Sequence, residues 1–565
     1  SSLLADEMGL GKTLQTVAYL RQLHECYQVA GPFLVVAPLS TLSHWQREFE
    51  RWTSMDVVQY CGSSEDRAIF RAHEFFFKPN GVYGTSRDSE GVQRIKDESK
   101  LQVVVTSFES ITNADTGHLR AMKWSIVVVD EAHRLKNSHS KFAVGLRAVE
   151  FDQSLLLSGT PLQNNTREFW SLLNFLDPES FASEQKFADG FGDLRRKDQL
   201  DALTSQTRKY MLRRMKEDVE KSLPPKEETR VCVELTPMQS MYYRALYEKN
   251  LSKLIPKGKR PADGPSLMNV AMELRKCCNH PFLLRGVREE TFRNISAPTP
   301  AEVAYAGSAH LARARAETDA LVATSGKLVF LDKLLPKLQM EGHRVLIFSQ
   351  FKIMLDLLED FLEGRCFSYE RLDGDVTGTD RQACIDRCQA KDSTSFIMLL
   401  STKAGGVGIN LMAADTCIIY DSDFNPQNDL QAQARCHRIG QTKEVKVYRL
   451  LCAKTYEMKM SERASHKLAL EKAVLGSSAP GTTPMSKREV EELLKRGAYD
   501  FFRDSKLSDE SSAAFMDASI DEILAANTTL VVEEKTARSD GKSNSFASAA
   551  FEPGSSSKVA ASSAT

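Results

Sequence analysis

The sequence lacks several features that would assign it to a specialised class. No apolar run approaches the roughly 18 residues of a membrane span, and no secretory signal precedes the first motif. The eleven cysteines show no paired Cys-x-x-Cys spacing. We interpret Cys277, Cys278, Cys384 and Cys388 as reduced core thiols and not as zinc ligands or disulfides. The formal net charge of −1 excludes a uniformly basic coat. An intracellular protein with no membrane partner is expected, and any contact with nucleic acid requires a local basic surface.

The chain is long enough, at 565 residues with 42% hydrophobic content, for two or more domains. Continuous apolar runs bounded by turn signals predict buried strands, and helix-like stretches such as 43–51 separate them. The alternation predicts two parallel α/β sheets, with ligands beyond the carboxyl ends of the strands. The predicted strands are 33–37, 103–107, 126–129 and 154–158 in the first half, and 345–349, 396–400, 416–420 and 445–448 in the second.

A glycine-containing loop precedes all of these strands. Gly9 and Gly11 allow backbone N–H groups to approach phosphate oxygens, and Lys12 can reach the β- and γ-phosphates. The Thr13 hydroxyl can ligate Mg²⁺, and the apolar spacing of 14–23 predicts a helix whose N-terminus favours anions. The strict pattern has glycine at the position of Asp6, so an ordinary glycine-rich turn is an alternative. The full loop reads Asp6-Glu7-Met8-Gly9-Leu10-Gly11-Lys12-Thr13.

Two acidic residues follow the third predicted strand. Asp130 can hold Mg²⁺, and Glu131 can orient or deprotonate the water that attacks a γ-phosphate. A solvated turn or helix cap is the alternative, which the earlier Lys12 and Thr13 make less favourable. The next strand leads into a polar loop at 158–165, which we interpret as a sensor of the γ-phosphate.

The second half has no phosphate loop of its own, so we expect it to complete the first site. The glycine block 401–411, which contains Gly408, suits close approach of backbone to phosphate or ribose, although a plain turn is possible. Arg435 and Arg438 are three residues apart, which places them on one face of a predicted helix. Two guanidinium groups there can stabilise charge developing on the γ-phosphate, whereas isolated helical arginines are usually surface residues.

Two further stretches have more ordinary interpretations. A basic, helix-like stretch at 208–216 is usually a solvated face, and residues 223–226 break it. His280 follows Cys277 and Cys278, but that spacing is poor for zinc, so we expect structural packing.

Taken in order, these motifs resemble Snf2-type ATPases of helicase superfamily 2. The resemblance rests on 6–13, on 37–42, on Asp130-Glu131-Ala132-His133, on 158–164 and on 431–441. That family carries aspartate at the position of Asp6. The stretches 429–441 and 462–474 and patches of the tail are similar to the chromodomain-helicase-DNA-binding (CHD) remodellers, with the ISWI remodellers next. Phe424, Lys403 and Cys388 depart from the usual Trp, Arg and Phe, which leaves fine contacts to DNA open.

The resemblance implies an α/β fold of two RecA-like parallel-sheet lobes, with helical Snf2-type insertions and a partly disordered C-terminal extension. It divides the chain into lobe 1 with a helical protrusion (1–225), an inter-lobe helical insertion and linker (226–325), lobe 2 (326–475) and a bracing or regulatory segment (476–565). Because the family has a segment before this loop that contacts adenine, we expect the N-terminus to be truncated.

The resemblance also implies a function. We expect a nuclear, DNA-dependent ATPase that translocates on duplex DNA and slides nucleosomes, with ATP and Mg²⁺ as cofactors. Histones and other chromatin-complex subunits would be its partners. The implied catalytic residues are Lys12, Asp130, Glu131, Arg435 and Arg438; residues 6–13, Gly408 and Gln441 would bind nucleotide, and Thr13 and Asp130 the metal. The alternatives are an RNA helicase, a repair or transcription translocase, and a DNA- or nucleosome-binding scaffold with a vestigial ATP site.

Overall fold

The computed structural model describes most of the chain. The described residues are 1–29, 31–75, 85–87, 93–95, 101–112, 116–159, 166–191, 206–219, 223–254, 267–376, 378–390, 392–402, 408–475, 492–498, 501 and 508–531. The predicted γ-phosphate sensor at 160–165, part of the glycine block (403–407), the linkers 255–266 and 476–491 and the end of the tail from 532 lie outside them.

The first half of the chain forms a seven-stranded parallel sheet. Its strands are β1 (Ser2–Leu4), β2 (Phe33–Ala37), β3 (Val57–Tyr60), β6 (Val103–Ser107), β7 (Lys123–Val129), β8 (Glu150–Leu157) and β9 (Met211–Leu212), in the order β3-β6-β2-β7-β8-β1-β9. The strands β4 (Thr85–Arg87) and β5 (Gln93–Ile95) form a separate antiparallel pair. The apolar runs of β2 and β6 are buried along their whole length, which confirms two of the predicted strands.

Helices cover both faces of this sheet, and two apolar clusters fill the space beneath them. Trp45 and Phe49 pack on one face, and Trp124 belongs to the cluster on the other. The α-helices are Lys12–Tyr27, Leu42–Trp52, Ser64–His73, Phe108–Thr112, Thr116–Ala121, Lys141–Arg147, Thr166–Leu176, Glu184–Phe191 and Lys216–Val219. The predicted basic helix at 208–216 is wrong, because the short strand β9 occupies its centre.

The second half forms another seven-stranded sheet. Its strands are β10 (Lys226–Val233), β11 (Val345–Ser349), β12 (Tyr369–Leu372), β13 (Ile397–Ser401), β14 (Thr416–Ile419), β15 (Val445–Cys452) and β16 (Thr528–Val531), in the order β12-β13-β11-β14-β15-β10-β16. Every pairing is parallel except that of β10 with β16. The two-lobe α/β fold predicted from the sequence is confirmed.

The second sheet draws on segments that the sequence assigned elsewhere. β10 lies within the stretch interpreted as an inter-lobe insertion, and β16 lies within the tail. The tail also contributes the helix Ile520–Ala526, which buries Ile523. The helices of this half are Pro237–Leu254, Leu267–Asn279, Val287–Arg293, Pro300–Ala306, Ala309–Ala323, Gly326–Met340, Lys352–Gly364, Gly378–Gln389, Pro426–Gln433, Tyr456–Leu475 and Ser508–Asp517.

The core of the second lobe explains why these segments belong to it. Tyr243 and Tyr247, from the helix after β10, are fully buried in the same cluster as Phe330 and Ile347. Ile523 from the tail joins that cluster. Among the described helices, none is both long and apolar enough to cross a bilayer.

Candidate active site

The phosphate loop connects β1 to the helix Lys12–Tyr27. Gly9 has φ +93° and Gly11 has φ +74°, in the left-handed region that favours glycine. Gly11 occupies the N-cap position of the helix, and a Cβ there would meet nothing within 4 Å. The loop therefore has the open backbone that an anion-binding helix N-terminus needs.

The side chain of Asp6 connects this loop to Arg214. It is fully buried, and its carboxylate accepts hydrogen bonds from the Arg214 backbone N–H (3.0 Å), from the Arg214 guanidinium and from Gln15 Nε2 (3.2 Å). Glu7 acts similarly, because its Oε2 accepts from the backbone N–H of Lys216 at 2.8 Å. Both side chains thus tie the loop to residues 214–216, and any nucleotide contact of theirs stays a prediction.

The side chains of Met8 and Leu10 also face protein. Leu10 is buried, and Met8 lies so close to Gly159 that a Cβ there would fall 2.4 Å from Met8 Cγ. If Met8 and Leu10 contact nucleotide, as predicted, the contact would be made by their backbone atoms.

Lys12 is the cation of the loop. Its Nζ donates to the carbonyl oxygens of Asp6 (2.9 Å) and Glu7 (3.4 Å). Burial lowers the pKa of Lys12, although the nearby Glu131 and Asp130 carboxylates oppose that shift. Within the described part of the chain, Lys12 has no direct carboxylate partner. A cation held by carbonyl oxygens in this way suits a polyphosphate. Thr13 follows it in the first helical turn and is partly exposed.

Asp130 and Glu131 lie at the carboxyl end of β7, as predicted. Asp130 accepts from Trp45 Nε1 at 3.0 Å and from the backbone N–H of Glu131 at 2.9 Å. Burial and the neighbouring Glu131 raise the pKa of Asp130 to about 6. Glu131 adopts φ +48° and approaches His133 Nδ1 at 3.2 Å. Although burial opposes it, the hydrogen bond and charge of His133 lower the pKa of Glu131.

Arg435 enters this site from the other lobe. It is buried, and its Nη1 donates to the Ile409 carbonyl at 3.4 Å. Burial and the Arg438 charge lower the pKa of Arg435 to about 10, while Glu131 and Asp130 oppose that shift. The electrostatic coupling runs in both directions, since Arg435 also affects Lys12 and Glu131. The Ile439 N–H, in the same segment as Arg435, donates to the Gly9 carbonyl at 3.4 Å, so the structure brings the predicted groups of both lobes close together.

The two arginines do not share a helical face. The helix Pro426–Gln433 ends before them, and Arg435 and Arg438 lie in the turns that follow. Burial lowers the pKa of Arg438, and Glu48 of the first lobe opposes that shift. The prediction of a shared helical face is wrong, because the helix ends at Gln433 and Ala434 is its C-cap.

Gly408 and Gln441 lie on either side of these turns. Gly408 has φ +60°, and a Cβ there would fall 2.1 Å from Thr41 Cγ2 of the first lobe, so only glycine fits. Gln441 Nε2 donates to the carbonyls of Met412, Ala414 and Cys436 at 3.0–3.1 Å. Its amide therefore shapes the arginine turns, and the predicted nucleotide contact stays a prediction.

Trp45, His133, Arg214 and Lys216 are site residues that the sequence did not single out individually. Lys216 Nζ donates to the His437 carbonyl at 2.8 Å, and burial lowers the pKa of Lys216 to about 8. A partner 85 positions away, as Trp45 is from Asp130, leaves no spacing signal in one sequence.

Cys277, Cys278, Cys384, Cys388 and His280 are buried, as predicted for core residues. All eleven cysteines are free thiols. His280 Nδ1 accepts from the Phe282 backbone N–H at 3.0 Å, and Nε2 lies 2.9 Å from the Leu321 carbonyl. Among the described residues, Cys278, Cys452 and Glu457 could geometrically surround an ion, but Glu457 pairs with Lys327 at 2.6 Å. The structural interpretation of His280 is confirmed.

Fold and site together define a two-lobed α/β protein whose phosphate loop and arginine turns face each other across a cleft. Residues 1–283 match the SNF2-related domain, and residues 326–440 match the helicase conserved C-terminal domain. The chain belongs to the SNF2-related family.

Several CHD proteins are similar to almost the whole chain. Chromodomain-helicase-DNA-binding protein 7 of Homo sapiens is 48% identical over 97% of this chain and 18% of its own length. Protein 8 of Rattus norvegicus is 47% identical over 97% of the chain and 20% of its length. Chromodomain-helicase-DNA-binding protein 6 of Rattus norvegicus is 48% identical over 97% of this chain and 19% of its own length. The chain thus spans about a fifth of these relatives.

Proposed function

We propose that this chain is the motor of a CHD-like chromatin remodeller, an ATPase that duplex DNA stimulates and that shifts nucleosomes. The observation that carries the proposal is the contact between the arginine turns and the phosphate loop. The Ile439 N–H donates to the Gly9 carbonyl at 3.4 Å, so the turns that hold Arg435 and Arg438 lie against the loop that holds Lys12. A hydrolase that acts only when its lobes close needs such a divided site. The similarity to CHD proteins supports chromatin as the substrate and the nucleus as the location.

Each residue has a defined task in this proposal. The glycine backbone and Lys12 bind the phosphates of ATP, and Arg435 and Arg438 stabilise negative charge as the γ-phosphate leaves. Glu131 orients the attacking water, and its lowered pKa keeps it ionised for that purpose. The Asp130 carboxylate and Thr13 hydroxyl are oxygen ligands that fit Mg²⁺, which when bound neutralises phosphate charge.

Movement along DNA follows from the two-lobe arrangement. Opening and closing of the cleft would change the grip of each lobe on the DNA backbone in turn. Because such contacts go to phosphates, binding would be insensitive to sequence and would weaken as salt increases. Nucleosomal DNA would be the substrate, with histones and other chromatin-complex subunits as further partners.

The first experiment compares Lys12→Ala and Glu131→Gln with the parent chain. Each variant should lose DNA-stimulated ATP hydrolysis, because one lacks the phosphate cation and the other the group that orients water. Binding to duplex DNA should be unchanged. Lys123→Ala, at an exposed ion pair with Asp152, is the matched control and should hydrolyse ATP normally.

Hydrolysis at the parent rate by either site variant would refute the proposal. Stimulation by RNA in place of duplex DNA would favour an RNA helicase. A nucleosome-sliding assay with the parent chain distinguishes a remodeller from a repair or transcription translocase. Nucleotide binding without turnover would indicate a scaffold.

A further inference from the structure

Residues 214–216 connect the phosphate loop to the second lobe. The backbone of 210–214 runs beside that of 3–7, with N–H groups of Leu3, Ala5 and Glu7 donating to the carbonyls of Tyr210, Leu212 and Arg214 at 2.7–3.0 Å. Beyond this ladder, Glu7 accepts from the Lys216 N–H. Lys216 is thus fixed to the loop through its backbone.

The side chain of Lys216 leaves the first lobe. Its Nζ donates to the carbonyl of His437, between Arg435 and Arg438, at 2.8 Å. On its way it passes over Gly9, where a Cβ would fall 3.0 Å from Lys216 Cε and 3.3 Å from the His437 carbonyl oxygen. The Ile439 N–H adds a longer bond of 3.4 Å to the Gly9 carbonyl.

We propose that Lys216 is a positioning residue that holds the arginine turns against the phosphate loop and so stabilises the closed cleft. This inference deepens the proposed function and rests on it for its catalytic consequence. Because Lys216 bonds a backbone carbonyl of the second lobe, it contributes only when the lobes are closed, and its loss shifts the population toward open forms. A charge-assisted hydrogen bond in a buried setting is strong enough to change that population about tenfold.

Among the described residues, two other groups near His437 have different partners. Lys226 is directed elsewhere, since its Nζ lies 3.3 Å from Gln433 Oε1. The ring of His437 contacts the Pro224 carbonyl oxygen, which lies 3.0 Å from its Nε2. Burial and the Lys216 charge lower the pKa of His437 to about 4, so the ring is neutral at pH 7.

The test replaces Lys216 by methionine, which retains the length of the alkyl chain and removes the three donors. Amide hydrogen exchange is measured on the full chain without nucleotide or DNA. Lys216→Met should exchange faster than the parent both in the loop 7–12 and in the turns 434–441, and the second-lobe strands should be unchanged. Lys123→Met is the control and should leave both peptides as in the parent chain.

Kinetics separate positioning from a local structural role. The kcat for DNA-stimulated hydrolysis should fall about tenfold in Lys216→Met, while the KM for ATP stays within about twofold. Glu7→Ala, which keeps the amine and loosens only its backbone anchor, should show the same faster exchange at 434–441 to a smaller extent. This variant decides the matter if Lys216→Met does not fold.

Unchanged exchange at 434–441 in these variants would overturn the inference, whatever the ATPase rate. The two failures are distinguishable, because exchange is read without ATP. A parent chain that never hydrolyses ATP would refute the proposed function and leave the contact across the cleft measurable.

Discussion

The two lobes repeat one strand order and differ at the edge where a ligand would bind. β1 lies beside β8 and β9 in the first sheet, as β10 lies beside β15 and β16 in the second. After β1 the chain forms the open glycine loop, whereas after β10 the Glu234 carbonyl would lie 2.1 Å from a Cβ at Gly326. Gln239 Oε1 accepts from the N–H groups of Thr236 and Gly326, which closes that corner.

Each lobe also places a lysine near this edge. In the first, Lys12 Nζ donates to the carbonyls of Asp6 and Glu7, and the charges of Asp130 and Glu131 act on it. In the second, Lys327 is fully buried and donates to Asn279 Oδ1, the Tyr420 carbonyl and Glu457 Oε1 at 2.6–3.0 Å. The same architecture therefore leaves an open loop in the first lobe, where we propose that nucleotide binds, and forms a closed polar core in the second.

Removing Arg435 should have the largest effect, and this effect should be on the rate of ATP hydrolysis. We propose that Arg435 is the group that the second lobe adds to the site of the first lobe. Arg435→Ala should lower DNA-stimulated ATP turnover by about 10³- to 10⁵-fold, with nucleotide affinity nearly unchanged. Steady-state ATPase assays and a nucleotide titration measure both quantities. A loss of affinity equal to the loss of rate would mean that Arg435 serves binding and not the transition state.

Breaking the buried ion pair between Lys327 and Glu457 in the second lobe should instead lower the free energy of unfolding. Lys327→Met leaves the Glu457 carboxylate buried without its cation, which should cost about 4 kcal/mol in the free energy of unfolding. Denaturant unfolding measures this cost. The double variant Lys327→Met/Glu457→Gln removes both charges and should recover much of it. If the single variant were as stable as the parent chain, the second lobe would not depend on a closed polar core.

Lowering the pH should reduce the free energy of unfolding of the second lobe through His280. The expected loss is slightly smaller than that of Lys327→Met. Burial lowers the pKa of His280 to about 4. The unfolded chain protonates histidine near pH 6.5, so between these values the unfolded state binds more protons and stability falls as the pH falls. The loss approaches about 3 kcal/mol by pH 4. Unfolding curves of the parent and His280→Gln across this range should differ in slope, and parallel curves would contradict the assignment.

Much of the first lobe's site was predictable, because its residues lie within short motifs. Asp130 directly follows β7, so its position along the chain determines the edge of the sheet that it reaches. Lys12 follows Gly9 and Gly11 within a single short motif and begins the next helix. Arg214 and Trp45 were not predictable as partners of the site. They contact Asp6 and Asp130 through pairings of distant segments, and spacing along the sequence carries no information about such pairings.

The second lobe was harder to delimit, because its sheet is assembled from three separated parts of the chain. The alternating pattern of β10, in which buried and partly exposed residues follow each other, lacks the continuous apolar run of a central strand. β16 has only four residues and pairs antiparallel with Glu228–Val231. Packing of the helices around Tyr243 and Ile523 draws both strands into the lobe, and that packing is a property of tertiary structure.

We expect the chain to have one nucleotide site, which the first lobe provides and the second lobe completes. A calorimetric titration with a non-hydrolysable ATP analogue and Mg²⁺ tests it most directly. The titration should show one site per chain, which is lost in Lys12→Ala and retained in Arg435→Ala. A second site, or binding that survives Lys12→Ala undiminished, would contradict it.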